Sequence, residues 1–207
     1  MPTMQRVPPC NQTVSAATII YYASQVYGMN PQAVMATMQK EQGIITAPTY
    51  DEYKVDYAMG FGCPDSGGCS VTPSSNFLYQ LDNGAGWLRI NYERALGNMT
   101  YWFTSTSWTC GTSHNYYTPS LYPGQNVTFR DDNGVAYATY YIANASTSSM
   151  YCYTPHAYNN PQGLYGLPQF GTTGSYYTGS YNFYTAFTSW FGSTYSSGEI
   201  LRKQPRY

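Results

Sequence analysis

Charge is what this sequence has least of: nine basic and ten acidic residues among 207 leave a net charge of −1. Binding to DNA or RNA rests on clustered lysine and arginine, so no nucleic-acid partner is expected. Arg202, Lys203 and Arg206 do cluster, but in a polar C-terminal stretch whose ordinary reading is a solvated tail. Long apolar runs are missing too. None approaches the ~18 residues of a membrane span, so a soluble chain is expected. Met1 to Cys10 lacks the charged-then-apolar pattern of a secretory signal, which leaves a trimmed signal or another export route. Histidine is limited to His114 and His156, and with scattered acids they give no zinc-ligand spacing. No Gly-rich phosphate loop precedes a helix, so nucleotide chemistry has no support. The expectation is a protein without metal or cofactor.

What the chain does have is tyrosine, 25 of them within 18% aromatic residues, set among Ser, Thr, Gly and Asn. A tyrosine offers a flat apolar face and a hydroxyl together, which suits wet surfaces and stacking against sugar rings. A surface that uses hydroxyls in place of charges accounts for most of them. Hydrophobic residues make up 43%, enough for one domain with a sizeable core. The mean hydropathy of −0.42 is nonetheless polar. Five cysteines fit an oxidising destination. Cys63 and Cys69 bracket a short Pro/Gly-containing loop and are the first expected disulfide; zinc is the other use for two such thiols. Cys110–Cys152 is the expected second bridge, leaving Cys10 free.

Periodicity and capping residues divide the chain. Residues 1–12 read as an arm, 13–192 as one domain and 193–207 as a polar tail. Thr13 is placed to cap a helix running to about Tyr27 and ended by Gly28. Asn30-Pro31 restarts a helix as cap and first residue, with Gly43 as its stop. Residues 44–74 read as a long Gly/Pro-rich loop, a length that is uncommon without a function. A third helix opens at Ser75 or Asn76 and runs to about Leu96; its internal Gly84 and Gly86 mark close packing. After an irregular stretch, Gln125–Phe129 and Val135–Tyr141 flank Asn133-Gly134 as a β-hairpin. Asn144 caps a short helix ending near Tyr151, and Asn182–Phe191 forms the last helix before Gly192. The fold class expected is α+β, mainly α-helical, with a small β-hairpin.

So few carboxylates can be sorted singly. Asp131 and Asp132 fit a turn. Glu93, four residues after Arg89 and beside Arg94, reads as half of a surface ion pair. Asp82 lies beside the apolar stripe of its helix but off it, and Glu199 is in the tail. Asp51, Glu52 and Asp56 stand in the long loop near Lys54. Glu41 and Asp65 remain. Glu41 follows Met38 by three residues and Val34 by seven, so it projects from an apolar stripe. It also sits in a last turn, where the helix dipole is negative; both effects favour a protonated carboxyl, the form that protonates a glycosidic oxygen. The plainer alternative is a boundary glutamate whose head reaches water beside Lys40.

The run from Asn30-Pro31 through Lys40-Glu41-Gln42-Gly43, followed by Ala58-Met59-Gly60-Phe61-Gly62-Cys63-Pro64-Asp65, resembles a lysozyme-like family of actinobacteria and their phages. That family is similar to goose-type lysozymes and soluble lytic transglycosylases. The resemblance continues through Gly84-Ala85-Gly86-Trp87-Leu88, Tyr151-Cys152-Tyr153-Thr154-Pro155-His156, Asn182-Phe183-Tyr184 and Trp190-Phe191-Gly192, covering about residues 13–192. It implies a lysozyme-like fold, peptidoglycan glycan strands as partner, and an extracellular, cell-wall or phage-particle location. Glu41 takes the acid/base role. Gln42 and the segment from Tyr57 through Met59 to Gly60 line the sugar cleft, and Tyr151 and Tyr153 belong to its tyrosine motif. Cys152 stands where that motif has Asn, so one sugar hydrogen bond is in doubt.

A hydrolase needs a second carboxylate, for which Asp65 is the candidate and Asp56 the reserve. A transglycosylase needs none, because the sugar's own hydroxyl attacks. Two other classes compete. Cys152 four residues before His156 could pair as a cysteine peptidase, but nothing around them matches one. The stronger rival is a catalytically idle lysozyme-like module that binds glycan or builds part of a virion or cell surface.

Overall fold

A computed structural model describes residues 14–63, 76–98, 117–118, 121–130, 136–154 and 180–192. Among these, six helices and one small antiparallel sheet make a mainly helical α+β protein. In chain order they are α1 (Ala16–Val26), α2 (Pro31–Gln42), α3 (Glu52–Asp56), α4 (Phe77–Ala95), β1 (Tyr117–Thr118), β2 (Gln125–Arg130), β3 (Ala136–Ile142), α5 (Ala145–Tyr153) and α6 (Ser180–Phe191). No helix among the described residues is long and apolar enough to cross a membrane. The chain divides into two compact units, residues 1–89 with 185–207, and residues 90–184; the divisions fall inside α4 and α6. The expected arm and tail lie outside the described residues.

Capping chemistry sets the helix boundaries of the first unit. Ser15, not Thr13, caps α1, its hydroxyl accepting the Thr18 N–H at 3.2 Å. Asn30 accepts the Gln32 N–H at 2.9 Å and Pro31 opens α2, as the sequence requires. Gly43 closes α2 in the left-handed region. The expected long loop is broken by α3, because Asp51 accepts the Lys54 N–H at 3.2 Å and starts a five-residue helix. Asp51 is therefore a cap. Ile20, Ala23, Ala33, Val34, Ala36 and Met38 bury the inner faces of α1 and α2.

No residue of α4 is exposed. Asn76 starts it by accepting the Tyr79 N–H at 2.9 Å. Its apolar stripe was legible, but its polar residues Gln80, Asp82, Arg89, Asn91, Glu93 and Arg94 are buried as well. The surface position expected of Glu93 is thus corrected. The side chain is buried, and its Oε2 accepts from Asn98 Nδ2 at 2.8 Å.

In the second unit β2 and β3 pair antiparallel from Gln125↔Ile142 to Arg130↔Ala136, with an irregularity at Phe129/Arg130. The two-residue β1 extends the sheet beside β2, within a stretch expected to be irregular. Alternation sends Val127 and Phe129 inward, where they pack with Leu121, Ile142 and Cys152. Asn144 caps α5 through the Thr147 N–H at 2.9 Å. The Ser148 hydroxyl ties α5 to the backbone carbonyl of Leu121. Burial draws Arg94 down to about 10, against an opposing pull from Tyr122.

Candidate active site

The first unit brings Glu41 and Gly60 together from positions nineteen residues apart in sequence. Glu41 stands in the last turn of α2, its side chain 20% exposed. One carboxylate oxygen, Oε1, lies 2.6 Å from Lys40 Nζ, and the lysine side chain is only 5% exposed. The other, Oε2, lies against Gly60. A Cβ placed on Gly60 would come within 2.8 Å of Oε2 and 3.2 Å of the carboxyl carbon. Gly60 also has φ +67°, which side chains rarely adopt. The conformation favours glycine, and any side chain there would push the Glu41 carboxylate aside.

Two elements hold that approach in place. On the α2 side, Gln39 Oε1 accepts the N–H groups of Ile45 and Thr46 at 3.1 and 3.2 Å, and its Nε2 donates to Thr46 Oγ1 at 2.8 Å. The exit of the chain from the Glu41 turn is thereby fixed. On the other side, α4 grips the segment around Gly60. Gln80 is fully buried; its Oε1 accepts the N–H groups of Met59 and Phe61 at 3.2 and 3.0 Å. Its Nε2 donates to the Phe61 carbonyl at 2.9 Å. One carboxamide so satisfies three backbone groups of this segment.

The same face of α4 seats the side chains. A Cβ on Gly84 would fall 2.6 Å from Met59 Cβ, so only glycine lets Met59 lie against the helix. Phe61 meets Tyr79 and Trp87 edge-on at 6.1 and 6.4 Å between ring centres. Four residues on from Asp82, Gly86 turns to α1, where Tyr27 packs on it. The Tyr27 hydroxyl donates to Asp82 Oδ1 at 2.9 Å. Burial raises the Asp82 carboxyl above its ordinary range, and the Tyr27 hydrogen bond opposes the rise.

The expected site residues separate accordingly. Glu41 and Gly60 meet. Gln42, the last residue of α2, is half-buried beside Glu41 in the chain. Tyr57 and Met59 are buried, Tyr57 against Tyr53 at 4.7 Å between ring centres, so they act as core. What their segment offers is backbone at Gly60. Tyr151 is in the second unit, its ring 4.7 Å from Phe129 and nearly parallel to Tyr140 at 6.4 Å. Tyr153 ends α5, half-buried. Asp56 ends α3 and is half-buried. Cys63 and Cys152 are each disulfide-bonded. Their expected partners Cys69 and Cys110, together with Asp65, Cys10, His114 and His156, lie outside the described residues.

Gln80 is the residue that sequence reasoning missed. Its signal was position: it follows Phe77 by three and precedes Gly84 by four, on a face that must be buried. Compared with known proteins, the chain matches no family model, no curated protein and no solved structure.

Proposed function

We propose that this chain is a peptidoglycan-cleaving glycosidase, a lysozyme or lytic transglycosylase, with Glu41 as general acid/base on the bond between N-acetylmuramic acid and N-acetylglucosamine. The observation that carries the reading is the meeting of Glu41 Oε2 with Gly60, whose positive φ favours the bare backbone found there. A carboxyl at a helix end with bare backbone beside it supports a role in proton transfer to a glycosidic oxygen. The order of motifs from Asn30 to Gly192 supports the same class. To donate a proton, Glu41 must leave its pair with Lys40, so sugar binding has to displace the ammonium. The reading carries with it glycan strands as partner and an extracellular, cell-wall or phage-particle location.

The idle glycan-binding or structural module is favoured by one specific observation, the Lys40–Glu41 pair itself. The Lys40 ammonium engages one of the two oxygens that an acid/base role would use. The test is to incubate the wild type and Glu41→Gln with purified peptidoglycan and to identify soluble products by mass spectrometry. Loss of general acid catalysis should lower release by about 10²- to 10⁴-fold. Reducing ends would identify a hydrolase and anhydro ends a transglycosylase. Equal release by both proteins would remove Glu41 from the role, and wall binding without release by either would establish the idle module.

A further inference from the structure

One edge of the sheet in the second unit carries no strand among the described residues. The order is β1-β2-β3, so β3 pairs with β2 on one side only. A bare edge invites pairing with another chain, and natural proteins blunt it with lysine, proline, a bulge or short length. The register puts the irregularity of β3 at Tyr137, near its start, and leaves Ala138-Thr139-Tyr140-Tyr141-Ile142 regular. That run has no charge, no proline and no glycine. Its edge is unprotected.

Two observations fix which groups face that edge. The Ile142 carbonyl accepts the Gly124 N–H at 2.8 Å, so Ile142 turns its backbone toward β2. Thr139 Oγ1 lies 3.0 Å from Thr128 Oγ1, the close side-chain approach of a pair that exchanges no backbone hydrogen bonds. Both give the same alternation. Tyr140 and Ile142 bond toward β2, and Thr139 and Tyr141 direct their N–H and C=O groups away from it. Thr139 and Tyr141 are also exposed, Tyr141 by 59%.

We propose that this edge pairs antiparallel with the same edge of a second copy, about a two-fold axis at Tyr140. Thr139 then exchanges backbone hydrogen bonds with Tyr141 of the second copy, and Tyr141 with its Thr139, about four bonds in all. The register sets Ala138 opposite Ile142, small against large. A copy of the chain is the fitting partner because the strand carries no charge that would select an unlike one. Little repulsion opposes the approach either, since the net charge is −1 over 207 residues. The result is one continuous sheet of six strands. The inference goes beyond the proposed glycosidase and does not rest on it.

The test is sedimentation velocity on the full chain from about 1 to 100 µM, a range that covers weak reversible association. The wild type should move from 23.2 kDa toward twice that mass as concentration rises. Hydrogen exchange at the Thr139 and Tyr141 amides should slow over the same range. Tyr141→Pro removes an N–H that faces the edge and none that faces β2, so it should weaken association about tenfold or more. Thr139→Lys, a charge of the kind that natural edges use, should act in the same direction. Circular dichroism verifies folding; if one variant unfolds, the other and the wild-type exchange rates decide. A wild type that stays at 23.2 kDa throughout overturns the proposal. So does a dimer that both folded variants leave intact, because it forms through another surface. Full protection of both amides in the monomer overturns it too, since the chain would then cover its own edge.

Discussion

Two of the segments singled out in the sequence, residues 57–61 and the stretch around residue 151, are treated differently by the fold. Residues 57–61 bury Tyr57, Ala58 and Met59 and bring the backbone of Gly60 against Glu41. Around residue 151 the side chain that was expected to meet sugar, Tyr151, is partly buried and packs against Phe129 and Tyr140 at the core of the second unit. A motif residue can thus serve by what it supports as well as by what it touches. In the first segment the supporting groups are polar, the Gln80 carboxamide foremost; in the second they are aromatic.

Gln80→Leu is the strongest way to break the first half of that contrast. Leucine fills much of the same volume but leaves the Met59 and Phe61 N–H groups and the Phe61 carbonyl without their partner. Each unsatisfied buried group costs about 1–3 kcal/mol; the Phe61 groups are only partly buried and water can reach them, so a loss of about 2–5 kcal/mol in urea denaturation is expected. Fragment release per folded molecule should fall with it, because Gly60 is no longer held against Glu41. Gln80→Glu, which keeps two acceptors and loses the donor, should fall between the two. If Gln80→Leu unfolds at the wild-type urea concentration, the clamp does not stabilise the segment.

The second half is tested by Tyr151→Leu. An aromatic packing role predicts a smaller loss, about 1–2 kcal/mol, the range for replacing one well-packed apolar group by another of different shape. Specific activity, normalised to the folded fraction, should then hold. A drop in activity at unchanged stability would return Tyr151 to the sugar-binding role that the resemblance implies.

This contrast also marks what could be read without coordinates. Asn30-Pro31, Gly43, Asn144 and Gly192 were legible, because each acts on its own neighbours through local hydrogen bonds or backbone conformation. The α3 helix was not, since five residues are too few to show a 3.6-residue period and Asp51 read as one more loop acid. Glu41 was singled out from its place on α2, but Lys40 as its ion-pair partner only entered as the plainer alternative. Gln80 stayed hidden for a different reason. A polar residue on an apolar face declares itself only when its partners are known, and those partners are backbone groups nineteen to twenty-one residues earlier.

Asp82 gives the smallest expected effect and the sharpest contrast within α4, because it is a buried polar residue with a charge to lose. Gln80 satisfies three groups and carries no charge; Asp82 receives one hydrogen bond, from Tyr27, among the described contacts. Burial raises its folded pKa above the 3.8 of the free side chain. The folded state therefore holds the proton more tightly than the unfolded chain does. Stability from this group is fully present below pH 3.8 and is lost as pH rises through the raised folded value. Asp82→Asn keeps an oxygen to accept from Tyr27 and removes the charge that has to be buried. The variant should match the wild type at acid pH and exceed it at neutral pH in thermal melts, by less than Tyr151→Leu loses. Melting curves that stay parallel from acid to neutral pH would mean that the Asp82 carboxyl is as well accommodated charged as neutral, and that the Tyr27 hydroxyl offsets its burial.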